Sequence, residues 1–419
     1  MAASPSSFTT LAAALKTRFY FSKDTIPDLT YEESPFYATI PKSEDWGGQS
    51  AEFPIIYGHN QSHSATFSTA QTNAQSLTIK RWSVPLSANK KHYSFAKIPG
   101  DLIRAMEGNA NAYFGTVETE VESAMKTAAR RISIDAFGDG WGRIGVIATG
   151  GISGSTITLA SPEDAKKFEV GMKVQFSESL SGHALRNSAG TLEVDSVEED
   201  AGTVTFTAAV GTLAAVAVGD SIFPSGDRQD SGSPTRLRIV GAEAWTPYDR
   251  TTIGTLFGVD RTKHKTRLAG SYLDGSQKSI AESIQTMVSI LAGRKGKPKY
   301  AWLSYSRWNE LSLELGSRVV YNDIEVGQGT SVGFRAITVS GPKGAVQVLP
   351  DIGCPSTRCF VTQPDTWKLL SLGRPVGFLD EDDNRMLRTA SEDSYEIRIG
   401  GYMELINTAP GFNGVINLG

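Results

Sequence analysis

The longest regular pattern of apolar positions in the chain lies between residues 115 and 137. Apolar side chains recur there every three or four residues, which is the spacing of one face of an α-helix. The stripe comprises Val117, Val121, Met125, Ala128, Ile132 and Ala136. Acidic residues come early in the segment and Lys126, Arg130 and Arg131 come late, an order that complements the helix dipole. We predict a helix of about 35 Å that serves as the strut of a domain and is ended by Gly138, Gly140 and Gly142.

A second helix with one apolar face is predicted from Ser276 to Ala292, with Gly293 at its end. A strand from Tyr300 to Leu303 follows it. The next helix is capped by Ser304 or Ser306, and it carries Trp308, Leu311 and Leu315 before it stops at Gly316. Further strands are predicted at 335–339, 345–349, 358–362, 376–379 and 395–406.

The first hundred residues contain projecting segments rather than a core. Residues 1–46 hold a short predicted helix from Thr9 to Thr17 and then three prolines that force an extended path. Residues 47–98 alternate as strands, and the phase changes between Ile79 and Trp82, which indicates a bulge or a switch of the buried face. Residues 58–75 are mostly polar and are predicted to form a large β-excursion. Neither projection has enough apolar surface to bury itself, so both need neighbours.

Residues 146–227 contain an internal repeat. The segment Thr156–Leu159 recurs as Thr203–Phe206, and the segment Val170–Val174 recurs as Val218–Ile222. We predict a small inserted β-barrel or sandwich with pseudo-twofold symmetry. The insert has a net charge of about −7, which leaves a small positive charge on the rest of the chain.

Composition narrows the class of protein. A chain of 419 residues with 40% hydrophobic and 21% charged residues folds as two or three globular domains. The net charge of −4 gives no global attraction to nucleic acid. Two cysteines exclude a disulfide scaffold. The N-terminal segment does not resemble a signal peptide, and no apolar run reaches the length of a membrane helix, so we expect a soluble protein made in the cytoplasm.

Residues that suggest chemistry have simpler explanations. Gly140, Gly142 and Gly145 match the spacing of a dinucleotide loop, but a predicted helix precedes them where a strand is required. His59 and His63 lie in a polar loop without helical pattern, which disfavours a metal site.

The cysteines and an acidic run also favour structural roles. Cys354 and Cys359 do not have the spacing of a redox motif, and we interpret them as buried thiols. The carboxylates at residues 381–383 are typical of a solvated turn. We therefore predict no catalytic residue, no cofactor and no bound metal.

Two basic clusters remain as candidate contact sites. They would contact either phosphates or an acidic neighbour, with a solvated turn as the alternative. No aromatic residues are interleaved for base stacking. The candidates are Arg261, Lys263, Lys265 and Arg267, beside His264, in the first cluster, and Arg294, Lys295, Lys297 and Lys299 in the second.

The order of these parts resembles the major capsid proteins of tailed bacteriophages, which have the Hong Kong 97-type fold. The resemblance rests on four stretches together with this order, and it covers nearly the whole chain. The stretches are 93–103 (YSFAKIPGDLI), 131–140 (RISIDAFGDG), 301–308 (AWLSYSRW) and 344–351 (GAVQVLPD).

The resemblance implies an α+β fold with a fixed order of parts. Residues 1–46 would be an N-terminal arm, 47–98 an extended β-loop, and 99–145 a peripheral domain with the spine helix. Residues 146–227 would be an inserted β domain outside the minimal fold. Residues 235–375 would form the axial domain, and 376–419 would return as strands to the peripheral domain.

The resemblance also implies partners. The chain would assemble in the host cytoplasm into hexamers and pentamers of a virion head around double-stranded DNA. A separate scaffolding protein, a portal and a decoration protein would assist, and no membrane would be involved. An encapsulin-like shell around a cargo protein is the main alternative. A β-rich carbohydrate-binding or hydrolytic protein is a further alternative, but the sequence shows no converging acid, base and nucleophile.

Overall fold

The structure is a computed structural model of the chain that describes residues 34–43, 46–74, 78–85, 90–100, 110–213, 215–316, 321–326, 332–379, 386–390 and 392–419. The helix predicted at Thr9–Thr17 and the acidic run at 381–383 lie outside these residues. Seven α-helices are described: α1 (Pro35–Thr39), α2 (Phe67–Thr72), α3 (Ala110–Phe137), α4 (Ala242–Trp245), α5 (Lys265–Ala269), α6 (Ile280–Gly293) and α7 (Tyr305–Leu315).

The strands form one mixed sheet, one larger sheet, a barrel and two hairpins. The strands before the barrel are β1 (Lys42–Ser43), β2 (Ser50–Gly58), β3 (Thr78–Pro85) and β4 (Lys90–Pro99). The barrel strands are β5 (Gly145–Ser153), β6 (Thr156–Leu159), β7 (Lys173–Ser177), β8 (Leu192–Glu198), β9 (Thr203–Phe206) and β10 (Ser221–Pro224). The later strands are β11 (Thr255–Leu256), β12 (Val259–Asp260), β13 (Ser271–Asp274), β14 (Tyr300–Leu303), β15 (Tyr321–Val326), β16 (Val332–Gly341), β17 (Gly344–Pro350), β18 (Arg358–Thr362), β19 (Trp367–Ser371), β20 (Gly377–Phe378), β21 (Met386–Arg388), β22 (Ser394–Asn407) and β23 (Gly414–Asn417).

The long helix predicted from the apolar stripe is confirmed, and it includes Ala110, five residues before the predicted start. Met125 and Ile132 are buried, and Ala129 rather than Ala128 completes the buried face in that turn. Among the described residues, no helix combines the length and the apolar character needed to span a bilayer. The helix α3 instead packs against β4 and β22 of the mixed sheet.

A seven-stranded sheet has the order β13-β23-β18-β14-β17-β16-β15. Alternate residues of β14 serve two cores: Ala301 and Leu303 face α6 and α7, while Tyr300 and Trp302 face the core around α3. The helices predicted at 276–292 and after Ser304 are confirmed as α6 and α7. Ser279, rather than Ser276, caps α6, and Ser304 caps α7.

The mixed sheet joins β22 to β4 on one side and to β19, β20 and β21 on the other. The strand pairing disagrees with two of the segment boundaries expected from the sequence. The strand β4, expected within the extended loop, is a full member of the sheet. The strand β23, expected to return beside β22, instead lies between β13 and β18 in the seven-stranded sheet. Sequence patterns locate strands, but long-range pairing decides which sheet they join.

The repeat-containing insert forms a closed six-stranded barrel in the order β10-β5-β6-β9-β8-β7. The repeated segments pair with each other: Ile157 of β6 lies opposite Val204 of β9, and Phe176 of β7 lies opposite Ile222 of β10. Antiparallel pairing of equivalent strands places a pseudo-twofold axis between the two repeats. A core of its own fills the barrel, with Phe176 and Phe206 in edge-to-face contact at 6.0 Å.

We expect residues 143–228 to fold without the rest of the chain, because this core is separate from the others. The isolated segment should give a dispersed NMR spectrum and a cooperative thermal transition. Phe176→Ala should lower its free energy of unfolding by about 3–5 kcal/mol, since the ring is fully buried. A spectrum typical of an unfolded chain for the unmutated segment would contradict this expectation.

The β-excursion is a two-stranded hairpin of β2 and β3 that carries the short helix α2 rather than strands alone. The change of phase in β3 is not a bulge in that strand. Instead Trp82 is buried and Ile79, on the opposite face, is exposed, while the irregular register lies in β2 between Ile56 and Gly58. The pattern of β3 therefore reflects burial near the hairpin's base and exposure farther out.

Candidate assembly surfaces

The helix α1 is packed into the interior of the protein. Phe36 lies among three aromatic rings, with ring centroids 4.6 Å from Phe137, 5.3 Å from Trp302 and 5.6 Å from Trp367. These residues belong to α3 and to both large sheets. Residues 34–40 are therefore packed where α3 meets the two sheets.

Asp351 fixes the start of α1 through hydrogen bonds. Its carboxylate accepts from the Ser34 hydroxyl at 3.0 Å, from the Phe36 backbone N–H at 3.1 Å and from the Gly353 N–H at 2.9 Å. Burial raises the pKa of Asp351 to about 7, although these three donors act in the opposite direction. Burial likewise raises the pKa of Glu404 to about 7, against the attraction of Lys90.

The free energy of unfolding should decrease as the pH rises through 7. Both carboxyls have folded-state pKa values above their usual range near 4, so the folded state holds protons that the unfolded state has lost. Below the folded pKa, each group contributes a slope of at most about 1.4 kcal/mol per pH unit. Burial lowers the pKa of His92, so this residue lowers the free energy of unfolding as the pH falls into the acidic range. The effect of the two carboxyls is therefore best measured at pH 6.5 and above.

Urea unfolding at pH 6.5 and pH 8.5 measures this effect. The wild-type midpoint should be higher at pH 6.5, and Asp351→Asn combined with Glu404→Gln should remove most of the difference. Asp200→Asn, at an exposed carboxyl, is the matched control and should leave the difference unchanged. Equal pH dependence in wild type and double variant would show that these carboxyls are not its source.

The hairpin is fixed at its base and exposed farther out. Near the base, Trp82 contacts Trp245 edge to face at 5.0 Å, and the Ser83 N–H donates to the Phe257 carbonyl at 3.1 Å. Farther out, Ile56 and Ile79 lie directly opposite each other and are 48% and 49% exposed. On α2, Phe67 is 84% exposed. A projection with an apolar outer face is typical of a contact surface for another molecule.

The outward face of β4 presents a second aromatic surface. Tyr93 and Phe95 are both about half exposed, while Ala96 and Ile98 of the same strand pack beneath α3. Tyr93 is in edge-to-face contact with Tyr402 of β22 at 6.3 Å. The outward face thus presents two exposed aromatic rings between the exposed Lys91 and Lys97.

The barrel is fastened to α3 at both of its ends. Arg131 donates to the Gly142 carbonyl at 3.0 Å, just before the barrel, and to Asp227 at 2.8 Å, just after it. Arg238 contacts the same Asp227 carboxylate at 2.9 Å. Because these side chains are largely buried, removing one partner would leave an uncompensated charge. Gly140 and Gly142, whose spacing matches that of a dinucleotide-binding loop, therefore belong to the junction between α3 and the barrel. Both have positive φ there.

A cavity of about 280 Å³ lies beside this junction, between the end of α3, the barrel and the loop before β18. Charged side chains of both signs line it, and burial together with repulsion from Asp139 raises the pKa of Glu243. The charged lining residues are Asp135, Asp139, Arg143, Asp164, Lys167, Glu243 and Arg358. Among the described residues, no group of three or more His, Cys, Asp or Glu side chains is placed to hold a metal ion.

The histidine pair and the cysteine pair that the sequence singled out do not form a site. His59 and His63 are exposed in the hairpin's outer loop. Cys354 and Cys359 are buried free thiols, and burial raises the pKa of both. A thiol held protonated in this way is a poor nucleophile and a poor metal ligand.

The structure brings the two predicted basic clusters together through Arg250, which the sequence did not single out. The Lys265 ammonium donates to the Arg250 carbonyl at 3.1 Å, and Arg250 donates to the Gly270 carbonyl at 2.8 Å. Arg294 donates to the Ser271 hydroxyl. Burial lowers the pKa of Arg250, and the nearby positive charge of Arg294 lowers it further.

Arg261 was predicted to be a contact residue, but the structure places it in the interior. It is buried, and its guanidinium donates to the carbonyls of Ala244 at 2.6 Å and Gly254 at 3.1 Å. Burial, with repulsion from Arg236 and Arg250, lowers its pKa to about 10. Arg261 therefore supports its own loop from inside. The remaining members of both clusters are exposed: Lys263, Lys265, Arg267, Arg294, Lys295, Lys297 and Lys299.

No family model matches the sequence, and no curated protein matches it. Solved structures that match the fold are proteins of capsids and shells. One is the capsid of cyanophage A-1(L), at 12% identity and a TM-score of 0.47, with 92% of each chain covered. Another is from Mycobacterium phage Ogopogo, at 9% identity and a TM-score of 0.43, with 91% of each chain covered. A virus-like particle from Pyrococcus furiosus matches at 9% identity and a TM-score of 0.38, with coverage of 94% and 96%.

All three sequence identities are 12% or lower, and all three TM-scores lie below 0.5. The described fold is a mixed α+β fold with one long helix and two large sheets.

Proposed function

We propose that this chain is the major capsid protein of a tailed bacteriophage, with the Hong Kong 97-type fold. Its copies assemble into hexamers and pentamers of a closed icosahedral head. The observation that carries the proposal is the hairpin: its base is buried in the subunit, while Ile56, Ile79 and Phe67 are exposed on its outer part. A two-stranded ribbon is marginal alone, so it needs a neighbouring surface to cover it.

A second complementary surface supports assembly. The half-exposed Tyr93 and Phe95 offer aromatic area of the kind that is enriched at protein interfaces. The hairpin and this aromatic face occur on every copy of the chain, so one copy's hairpin can cover the next copy's sheet. Contacts of this head-to-tail type close into rings when the rotation between copies closes.

The parts of the chain follow from this proposal. Residues 1–46 are the arm, anchored at α1, and the hairpin is the extended loop. The helix α3 and the mixed sheet form the peripheral domain, and the seven-stranded sheet with α6 and α7 forms the axial domain. The barrel is an inserted domain on the outer surface, because its net negative charge would be repelled by enclosed DNA.

The head encloses double-stranded DNA and forms in the host cytoplasm with a separate scaffolding protein and a portal. A decoration protein has the barrel as its contact site. The chain acts as a structural protein and not as an enzyme. The two buried thiols support this, since burial raises the pKa of both and leaves them poor nucleophiles.

Nuclease treatment of purified particles tests the proposal. We expect closed shells that protect double-stranded DNA of uniform length when the chain is made during phage infection. Shells that enclose one protein species and no DNA would instead identify an encapsulin-like compartment. A chain that remains monomeric in every condition would refute both kinds of shell.

A further inference from the structure

The exposed cations of the two clusters lie on segments that Arg250 links, through Lys265 on one side and Arg294 on the other. We call Arg250 and the exposed members of the two clusters the basic patch. Among the described residues, none of these side chains forms an ion pair with a carboxylate. The basic patch comprises Arg250, Lys263, Lys265, Arg267, Arg294, Lys295, Lys297 and Lys299.

Carboxylates close to the basic patch in sequence are occupied locally. Asp249 accepts from the Thr251 N–H at 2.8 Å and from its hydroxyl at 2.7 Å. Asp260 accepts from the Thr262 N–H at 3.0 Å and from its hydroxyl at 2.6 Å. These acids cap their own turns. The hydrogen bonds from Thr262 lower the pKa of Asp260, and the nearby positive charge of Lys263 lowers it further. The basic patch therefore keeps a field that attracts a negative partner.

The same chain carries a negative surface of matching character on the barrel. In β8, Leu192 and Val194 point into the barrel core, so the alternate residues point outward. We call the outward carboxylates of β8 and the following turn the acidic face. All of them are exposed, and none forms an ion pair within the described part of the chain. The acidic face comprises Glu193, Asp195, Glu198, Glu199 and Asp200.

We propose that the basic patch of one subunit binds the acidic face of a neighbouring subunit's barrel. This inference rests on the proposed function, since it requires copies packed side by side. Each copy carries one surface of each sign, so the contact is heterologous and can be repeated around a ring. Complementary charge of this kind raises the rate of encounter and fixes the register of the partners.

Charge favours this occupant over DNA. The whole chain has a net charge of −4, so nucleic acid experiences no overall attraction to it. The acidic face, by contrast, is present at the same concentration as the basic patch in every assembly. The barrel is also held firmly to α3 by Arg131 and Arg238, so its acidic face is presented in a fixed orientation.

Charge reversal with rescue tests the contact. The basic variant is Lys263→Glu with Lys297→Glu, whose ammonium groups make no hydrogen bond in the described structure. The acidic variant is Glu193→Lys with Asp195→Lys. Each should lower the yield of shells at least about tenfold near 0.1 M salt, because like charges would then face each other. A chain with all four changes should regain most of the yield.

Lys343→Glu, in the exposed turn between β16 and β17, is the control and should leave the yield unchanged. Thermal melts of the unassembled subunits confirm that each variant folds. Four-fold variants that assemble no better than either pair would overturn the proposal. So would a basic variant that forms shells normally but loses DNA, which would make the basic patch a phosphate-binding surface. Both results leave the proposed function intact, because that function is tested on the wild type, by whether it forms closed shells and whether those shells enclose DNA.

Discussion

Met125→Asp is expected to abolish the soluble expression of this chain. Met125 lies on the buried face of α3, 6% exposed, against the mixed sheet. An unpaired carboxylate at such a position costs about 3–5 kcal/mol, a large part of the stability of a typical domain. The soluble fraction after expression, and the thermal transition of whatever remains soluble, measure the effect.

Thr127→Asp is the matched control, because Thr127 lies on the exposed face of the same helix turn. The control should be soluble and should melt close to the wild-type temperature. A Met125→Asp subunit that folds and assembles normally would show that α3 does not hold the subunit together in the way its packing indicates.

Ile56→Glu combined with Phe67→Glu is expected to give a folded subunit that does not assemble. Both side chains are exposed in the isolated subunit, so their replacement changes the subunit's stability little. At a buried contact with a neighbour, however, each carboxylate would be desolvated without a partner. Sedimentation should show subunits or small oligomers in place of shells, with an unchanged thermal transition.

Ser68→Glu serves as the control, since Ser68 is exposed beside Phe67 and carries no apolar surface. Its shells should form at close to the wild-type yield. If the Ile56 and Phe67 variant also assembled normally, the apolar part of the hairpin would not be a contact surface, and the proposed head-to-tail packing would lose its main support.

Local pattern was sufficient to predict the longer helices α3, α6 and α7. The stripe through Met125 and Ile132 identifies α3, and the face through Ile284 and Leu291 identifies α6, because a helix buries one side whatever it packs against. The repeat at Thr156 and Thr203 predicted the pseudo-symmetric unit, whose equivalent strands pair in the structure. These signals are local or self-similar, so the sequence carries them directly.

Contacts between distant residues could not be predicted in this way. Asp351 accepts a hydrogen bond from Ser34, which lies more than three hundred residues earlier in the sequence. No sequence motif around either residue indicates this contact. Arg250 likewise acquires its role only when β13 and the end of α6 come together. The alternation in β4 likewise did not indicate which face is buried: α3 covers Ala96 and Ile98 and leaves Tyr93 and Phe95 half exposed.

A three-dimensional reconstruction of the assembled particle would show both the hairpin and the barrel in place. We expect a closed shell of identical subunits in which Ile56, Ile79 and Phe67 are covered by a neighbouring subunit and residues 146–227 lie on the outer surface. A particle in which the hairpin remains in solvent, or in which the barrel lines the interior, would contradict it.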